Sequence, residues 1–502
     1  SVVVVGCAAS GDASGVTRPA WARDTPERSG QSGSGAQWQF PERANLFAGF
    51  EYALGIDGIA LMLIMLSVFL MPICILASWT SVTKRVGEYM AAFLIMEFRH
   101  TSKVQRAVGY VLAVSGLGMG FAAGQGLDVL FAGIASSLKF MLVFFAVAWM
   151  QIPAKTSPTL MAARQFVLDQ PAGRRFLILA YAAHFLGAFL NLAALTLLSD
   201  MVSRPKDRQL KDRLAVALMV GFTSASAWSP FYVSVTVVLA ALPGLKWVDI
   251  ALPGLIIGLV VVALTALIDR VFVRGARPRP NPGPKVEDAN WRKLSMLLGA
   301  LMISVIALES YFHLSIPVVL GLLAPPFAIL WLYISKGREH EAPGLPRRVV
   351  ASFPGLRGEA LIFIGANLFG TGVSRVLDPA AVAGVLHIAS WPDFAKPVAL
   401  AAFIIFAAGI GLHPVVLVIL VGSVLPPEVF GMPPLIMALV MLGTWGLSTT
   451  SSPVSGTTLV VSRLTGEDSF RLAWRRAPLY TLSGALVVAA IAMAFWKLGW
   501  AG

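Results

Sequence analysis

Eleven long apolar runs follow one another from residue 108 to residue 497, and they restrict the fold more than any other feature of the chain. The runs are 108–123, 129–150, 177–199, 214–243, 250–273, 294–312, 316–334, 360–377, 397–425, 433–462 and 478–497. A helix needs about 20 apolar residues to cross a bilayer, whereas the strands of a membrane barrel alternate apolar and polar residues. These runs do not alternate, and a further apolar run at 55–79 precedes them. The sequence therefore predicts an all-α polytopic membrane protein.

The basic residues of the connections predict how the chain crosses the membrane. Charged residues make up 13% of the chain, against about 25% in soluble domains. Six connections hold 29 Lys and Arg residues, and they are 80–107, 155–175, 203–213, 274–293, 335–359 and 463–476. The other five hold only Lys246 and Lys396. Because basic loops stay on the cytoplasmic side, we expect a multi-pass protein of the cell inner membrane. The same bias accounts for the net charge of +13, so no nucleic-acid partner is expected.

Two apolar runs, 177–199 and 397–425, are predicted to enter and leave the membrane on one face. The run 177–199 has a basic connection on both sides, and the run 397–425 has a non-basic connection on both sides. The loop-charge rule therefore makes each run a re-entrant hairpin, and the two hairpins open on opposite faces.

Each predicted hairpin is preceded by plain spans and followed by a broken segment and one plain span. The halves 101–273 and 294–502 thus share one element order in opposite orientation, which is an inverted-topology repeat. The connection 274–293 between them is rich in Pro and in charge, as an inter-repeat loop should be. The apolar run 55–79 takes the place of the first repeat's opening span.

The broken segments contain two matching clusters of hydroxyl residues. Residues 221–230 read GFTSASAWSP and residues 446–453 read GLSTTSSP, so each cluster opens with Gly and closes with Ser-Pro. Pro interrupts the hydrogen bonds of a helix, and irregular backbone at membrane depth is tolerated only inside protein or beside a water-filled cavity. Two such breaks in corresponding positions indicate the binding site of a repeat-built transporter. The alternative is ordinary packing of Ser and Thr between helices.

This order of elements resembles the ion transporter superfamily, which includes the divalent-anion:sodium symporters, the citrate and arsenite carriers and certain sodium/proton antiporters. The run Phe185-Leu-Gly187-Ala-Phe-Leu190-Asn191, followed by Thr196, is similar to a first-hairpin tip of that superfamily. The Ser-Asn-Thr signature of the dicarboxylate branch is absent at both hairpins. The resemblance covers residues 104–497 and implies that the hairpin tips and the helix breaks meet near the middle of the membrane.

The candidate site residues follow from that arrangement. Half-helix N-termini attract anions, and Ser or Thr oxygens can coordinate small cations. The predicted substrate- or ion-binding residues are Asn191, Thr223, Ser224, Ser226, Ser229, Asn367, Thr371, His413, Ser448, Thr449, Thr450, Ser451 and Ser452. For His413 the alternatives are a proton carrier and a hairpin-tip side chain bonded to backbone. For Asn367 and Thr371 they are a ligand role and close helix packing in a Gly-rich helix. His184 lies in the first hairpin, further from its tip.

The N-terminal part of the chain has a different character. Residues 50–98 contain Leu54-Gly-Ile-Asp57-Gly58, the run 72–79 (PICILASW) and Arg85-Val-Gly-Glu88-Tyr89-Met90. These motifs resemble the start of the M-type antiporter-like subunit of the proton-pumping NADH:quinone oxidoreductase, complex I. We therefore interpret 49–100 as a transmembrane segment of that type, and 1–48 as a flexible or truncated leader.

Several classes of site find no support in the sequence. The two cysteines and six histidines form no metal-binding spacing. No Walker loop, dinucleotide fingerprint or nucleophile elbow is present. We therefore expect no enzyme, no metal site and no cofactor, with Na⁺ or H⁺ as the coupling ion. The expected partners are the lipid bilayer and a small-molecule or ion substrate, and a homodimer is compatible with this arrangement.

The leading hypothesis is a secondary active transporter of a small ion or anionic metabolite. The first rival is a membrane subunit of complex I, present as a fusion or fragment. A non-transporting membrane scaffold is the third hypothesis.

Overall fold

The computed structural model describes residues 6–9, 39–46, 50–56, 101, 103–171, 173–205, 207–274, 291–335, 349 and 357–500. The chain separates into two compact units, Ser1–Leu94 and Ile95–Gly502, and the division lies close to the predicted boundary at residue 100.

The N-terminal unit contains a three-stranded antiparallel sheet. Its strands are β1 (Gly6–Ala9), β2 (Gln39–Leu46) and β3 (Phe50–Ile56), with β3 in the centre. The register of β2 against β3 is irregular between Gln39 and Glu42, around Pro41, which lacks the N–H that a regular ladder needs. Two of these strands lie in the segment expected to be a leader. The predicted span 55–79 lies outside the described residues after Ile56.

The second unit is helical throughout its described residues. Its first half contains α1 (Lys103–Ala122), α2 (Gly126–Thr156), α3 (Pro158–Leu168), α4 (Arg175–Leu190), α5 (Leu192–Ser203), α6 (Arg208–Ser224), a 3₁₀ turn (Ala225–Ala227), α7 (Val233–Ala241) and α8 (Trp247–Ile268), which continues as a π-helical turn (Asp269–Val273).

The second half follows a similar order. It contains α9 (Trp291–Phe312), α10 (Ile316–Ile334), α11 (Arg357–Val373), α12 (Pro379–Val385), a 3₁₀ turn (Ile388–Ser390), α13 (Ala395–Gly409), α14 (Pro414–Val424), α15 (Pro427–Phe430), α16 (Pro434–Ser451), α17 (Gly456–Thr465), a π-helical turn (Arg471–Arg476) and α18 (Pro478–Lys497). The interior of the predicted linker 274–293 lies outside the described residues.

Six of the described helices are long and apolar enough to cross a membrane. They are Gly126–Lys155, Trp247–Val273, Ser295–Phe312, Ile316–Ile334, Pro434–Ser451 and Pro478–Lys497. This confirms the all-α polytopic membrane protein predicted from the apolar runs. Helices α3, α12 and α15 were not predicted, because all three are short and lie in connections rather than in apolar runs.

The two predicted hairpins are pairs of short apolar helices. The first consists of α4 and α5, joined at Asn191, and the second consists of α13 and α14, joined by residues 410–413. The longest of these arms has 16 residues and is therefore only about 24 Å long, shorter than a hydrocarbon core of about 30 Å. Both ends of the first hairpin lie near the basic loops, since Phe176 stacks on Tyr480 and Ser203 bonds to the carbonyl of Leu464.

The broken segments pack against the hairpins in a reciprocal pattern. The second arm of the first hairpin, α5, packs along α17, which follows the break of the second half. The second arm of the second hairpin, α14, packs along α7, which follows the break of the first half. Within each half, the first hairpin arm packs on the first part of the broken segment, α4 on α6 and α13 on α16.

A stripe of glycines brings α1 and α11 into backbone contact. A Cβ on Gly365 would lie 2.5 Å from the carbonyl oxygen of Gly109, and one on Gly372 would lie 2.1 Å from that of Gly116. The glycines recur every seven residues on both helices, which keeps them on one face. No larger residue fits there without separating the two helices.

Candidate functional site

The two hydroxyl clusters meet where α6 and α16 cross. Gly446 packs directly on the backbone of Thr223, since a Cβ on Gly446 would lie 2.1 Å from the Thr223 carbonyl oxygen. The hydroxyls of Thr223 and Thr450 are 3.1 Å apart, and both residues are buried. Gly221, which opens the first cluster, is packed in the same way on the carbonyl of Ala180. The opening glycine of each cluster therefore permits a close approach.

Most hydroxyls in the clusters donate to a carbonyl of the preceding turn. Ser224 donates to Gly221, Ser448 to Trp445, Thr449 to Gly446 and Ser451 to Leu447. Of the facing pair Thr223 and Thr450, one hydroxyl donates to the other, and the accepting one is free to donate to its own helix. Such bonds use the hydroxyl proton and leave oxygen lone pairs free to accept. Ser226 makes a longer bond of 3.5 Å to the carbonyl of Leu442 on α16. Ser452, in the second break, is also buried.

A histidine that sequence reasoning placed further from the hairpin tip bonds to two residues of the first break. Trp228 donates its indole N–H to Nε2 of His184 over 3.1 Å, and Nδ1 of His184 lies 2.8 Å from the hydroxyl of Ser224. Because an indole can only donate, Nε2 is the acceptor, and Nδ1 carries the proton that is donated to Ser224. Ser224 in turn donates to Gly221. A neutral imidazole thus joins the first hairpin to the first break. A titratable side chain within an apolar hairpin arm was the available signal.

The tip of each hairpin meets the break in its own half. Asn191 has a φ of 51°, which Asn adopts more readily than most residues, and its amide donates to the carbonyl of Phe231 over 3.1 Å. Ser229 donates to the carbonyl of Ala188 over 2.5 Å. At the second tip, a Cβ on Gly411 would touch Val454 at 3.7 Å.

Four short helices begin at these tips and breaks. They are α5, α7, α14 and α17, and three of them carry a side-chain cap. Asn191 accepts from Leu192 N at 2.7 Å, His413 accepts through Nδ1 from Val415 N at 3.2 Å, and Ser455 accepts from Thr458 N at 3.2 Å. The capping role of His413 agrees with the alternative in which it bonds to backbone.

The four helices form two parallel pairs. Ser203 at the end of α5 bonds to Leu464 near the end of α17, so these two helices run in the same direction. Gly422 near the end of α14 packs against Ala241 at the end of α7, which gives the second pair. The positive end of each helix dipole therefore lies at a tip or a break.

Two predicted residues lie on a different surface. The side chain of Asn367 donates to Ser137 of α2 at 3.2 Å and to the carbonyl of Phe363 at 2.9 Å. The carbonyl of Thr371 accepts from the hydroxyl of Ser374, one residue past the end of α11. Their helix reaches the second tip through Phe363, whose ring lies 6.1 Å from that of His413. The packing interpretation of Asn367 therefore fits the structure better than the ligand interpretation.

Charged groups are kept away from the crossing. Within the described part of the chain, the buried Asp, Glu and Lys residues lie at or near helix ends, and they are Asp212, Asp269, Glu309, Lys396 and Glu467. No group of three His, Cys, Asp or Glu residues that could hold a metal occurs among the residues with described positions. The crossing offers neutral oxygens, backbone N–H groups and aromatic rings such as Trp445, which lies 6.5 Å from His413.

Comparison with known families finds a match at the N-terminus. The sequence profile of NADH-ubiquinone oxidoreductase chain 4, amino terminus, matches residues 36–98. NADH-ubiquinone oxidoreductase chain 4 of Prototheca wickerhamii is 49% identical over 51 residues, 10% of this chain and 10% of that protein. NADH-quinone oxidoreductase subunit M of Rhodobacter capsulatus is 48% identical over 59 residues, 12% of this chain and 11% of that protein. The chain therefore spans about a tenth of the length of the curated relatives it matches, and the resemblance of residues 50–98 to complex I is supported.

Comparison with solved structures finds a transporter fold. The YdaH transporter of Alcanivorax borkumensis, whose crystal structure revealed an unusual topology, superposes with a TM-score of 0.51. The superposition covers 74% of this chain and 86% of that chain at 14% sequence identity. The chain thus combines a short segment similar to complex I chain 4 with a helical fold similar to that of a membrane transporter.

Proposed function

We propose that this chain is a secondary active transporter of a small ion or anionic metabolite, coupled to sodium or protons. The site lies at the hairpin tips and the hydroxyl-rich breaks. The observation that carries the proposal is the set of four half-helices, α5, α7, α14 and α17, that begin at the tips and breaks in two parallel pairs. The resemblance to the ion transporter superfamily supports the same proposal.

An anionic substrate suits the electrostatics of this region. Each helix N-terminus carries a partial positive charge and N–H groups without a partner inside the helix. The buried carboxylates of the described residues lie at or near helix ends, so no buried acidic side chain opposes an anion at the crossing. Phosphate and carboxylate groups bind at helix N-termini for this reason.

A small coupling cation suits the orientation of the hydroxyls. Ser448 and Thr449 each donate their proton backward along their own helix, which leaves lone pairs for a cation. Oxygen ligands without formal charge are common where unwound helices coordinate sodium.

Alternating access is supported by the reciprocal packing of the two halves. The packing of α5 along α17 has its counterpart in that of α14 along α7, as an inverted repeat requires. In such proteins one repeat moves against the other around a fixed site.

A membrane subunit of complex I is the second candidate, favoured by the match over residues 36–98. That function needs a line of buried Glu and Lys at half-membrane depth. Purification of the full chain from its membrane tests it: recovery with the NADH dehydrogenase arm would reverse the ranking.

Uptake into proteoliposomes tests the transporter proposal. A panel of small anions should be offered with and without a sodium gradient, and with and without a proton gradient. We expect at least one anion to accumulate when a gradient is imposed. Absence of uptake under all gradients, from liposomes that hold folded protein, would contradict the proposal.

Matched variants test the site. Thr223→Val with Thr450→Val removes two facing hydroxyls at nearly constant volume and should reduce uptake at least tenfold. Thr265→Val is the control, because Thr265 is equally buried and bonds to its own helix in α8, away from the crossing. Equal uptake by the double variant and the Thr265→Val control would show that these two hydroxyls are not part of the mechanism.

A further inference from the structure

The end of α13 has one carbonyl that its own backbone does not satisfy. Gly411 N donates to Ala408 O and Leu412 N donates to Ala407 O, with φ of 108° at Gly411, which is a Schellman motif. Ile410 N donates to the carbonyl of Phe406. The remaining carbonyl of the last turn, that of Gly409, accepts from the indole N–H of Trp474 over 3.1 Å.

Trp474 is held in position by an ion-pair cluster. It lies in the π-helical turn Arg471–Arg476, whose wider spacing is shown by the bond from Ala477 N to Leu472 O. Residues five apart share a face in such a turn. Arg471 and Arg476 therefore both reach the buried carboxylate of Asp212 on α6. Through these contacts, the π-helical turn links the start of α6, the first broken helix, to the tip of the second hairpin.

The second tip and the first break differ in exposure. The side chains around the second tip are open, with Ile410 82%, Leu412 46% and Val454 41% exposed. The first break is closed, because residues 228–232 are all buried. The bond from Trp474 thus holds a tip whose apolar residues are uncovered.

We propose that Trp474 is a latch that keeps the second hairpin tip in its exposed position, and that the pairing of Arg471 and Arg476 with Asp212 positions the latch. This rests on the proposed function, in which the tip borders the site. When the indole bond breaks, the tip is free to leave this position. The ion pairs with Asp212 join the turn that carries the latch to α6 of the first half, so a shift of α6 is transmitted to the tip.

Spin-label distances test this proposal without a substrate. Cys7 and Cys74 are replaced by Ser, and nitroxides are attached at Leu412→Cys on the tip and Leu486→Cys on the exposed face of α18. The full chain is studied in lipid nanodiscs. The readout is a ratio of populations: the area of the distance peak that dominates in the parent protein, divided by the area of all other distances.

Two variants and two matched controls decide the outcome. Trp474→Phe keeps the ring contact with Phe470 but removes the donor, and should lower the ratio about threefold to tenfold, the effect of one lost hydrogen bond. Trp500→Phe is its control. Arg471→Gln should lower the ratio similarly, whereas Arg475→Gln, an exposed arginine of the same turn, should not.

The combined variant Trp474→Phe with Arg471→Gln should show no further shift, because both changes act on one bond. An unchanged ratio in Trp474→Phe, or an equal change in a control, would overturn the latch. This readout is independent of uptake, so a failed latch leaves the transport proposal standing, and a failed uptake assay leaves the measured latch standing.

Discussion

Replacing Gly446 by Ala tests how closely the two broken helices approach. The new methyl carbon would lie 2.1 Å from the carbonyl oxygen of Thr223 and 2.8 Å from the hydroxyl of Ser226. The helices would have to separate by roughly 1 Å to restore van der Waals contact. Overpacking of this kind costs about 1–3 kcal/mol, and the separation also strains the Thr223–Thr450 bond, worth about 1 kcal/mol. Ala favours a helix over Gly by up to about 1 kcal/mol, which leaves a net loss of about 2 kcal/mol.

The apparent melting temperature of the purified chain in detergent measures this loss. Gly118→Ala is the control, since no atom lies within 4 Å of the added carbon and the position is also within a helix. We expect Gly446→Ala to melt a few degrees below the parent, and Gly118→Ala to melt at or slightly above it. A Gly446→Ala protein that melts as high as the control would refute the close crossing.

Three further predictions concern the supports of the site. Asn191→Ala should lower the melting temperature more than Asn191→Gly, because a positive φ costs Ala roughly 1 kcal/mol or more and costs Gly nothing; equal losses would show that only the side chain matters. Arg213→Met should destabilise by about 3 kcal/mol, since it leaves the carboxylate of Asp269 buried without its two-bond partner. Adding Asp269→Leu should recover most of that loss in the same melting assay. Gly365→Ala should destabilise the packing of α11 on Gly109, whereas Gly299→Ala, in open space, should not.

The hairpins could be predicted from the sequence because the charge of the loops is a property of the chain alone. The loop-charge rule predicts that the runs 177–199 and 397–425 each enter and leave the membrane on one face, and it uses only the residues that flank each run. The breaks after Ser224 and Ser451 could be predicted for a similar reason, because Ser-Pro ends a helix locally. These local signals account for most of the helix order.

The contacts at the site could not be predicted, because they depend on how distant helices cross. The pairing of Thr223 with Thr450 depends on a backbone approach that Gly446 permits but does not specify. The role of Trp228 depends on the rotation of α4, which brings His184 towards it. For Asn367 the sequence left a ligand role and close helix packing open, and the structure shows its side chain bonded to Ser137 of a neighbouring span.

The π-helical turns could not be predicted from the sequence either. Asp212 and Arg213 are adjacent on α6, and each fixes one of the two turns, Arg471–Arg476 and Asp269–Val273. Adjacent charged residues are common in a basic connection, so the sequence alone does not distinguish this pair. Only the folded chain shows that its two members bind the last spans of both halves.

The reciprocal packing of hairpin arms and broken helices has a consequence for biogenesis. The arm α5 emerges from the ribosome long before α17, on which it finally rests, and synthesis of the intervening chain takes roughly tens of seconds. During that interval a short polar-tipped loop sits in lipid without its counterpart, so the insertion machinery or a chaperone has to shelter it. An amino-terminal half produced alone should be degraded, and supplying the other half as a separate polypeptide should rescue it.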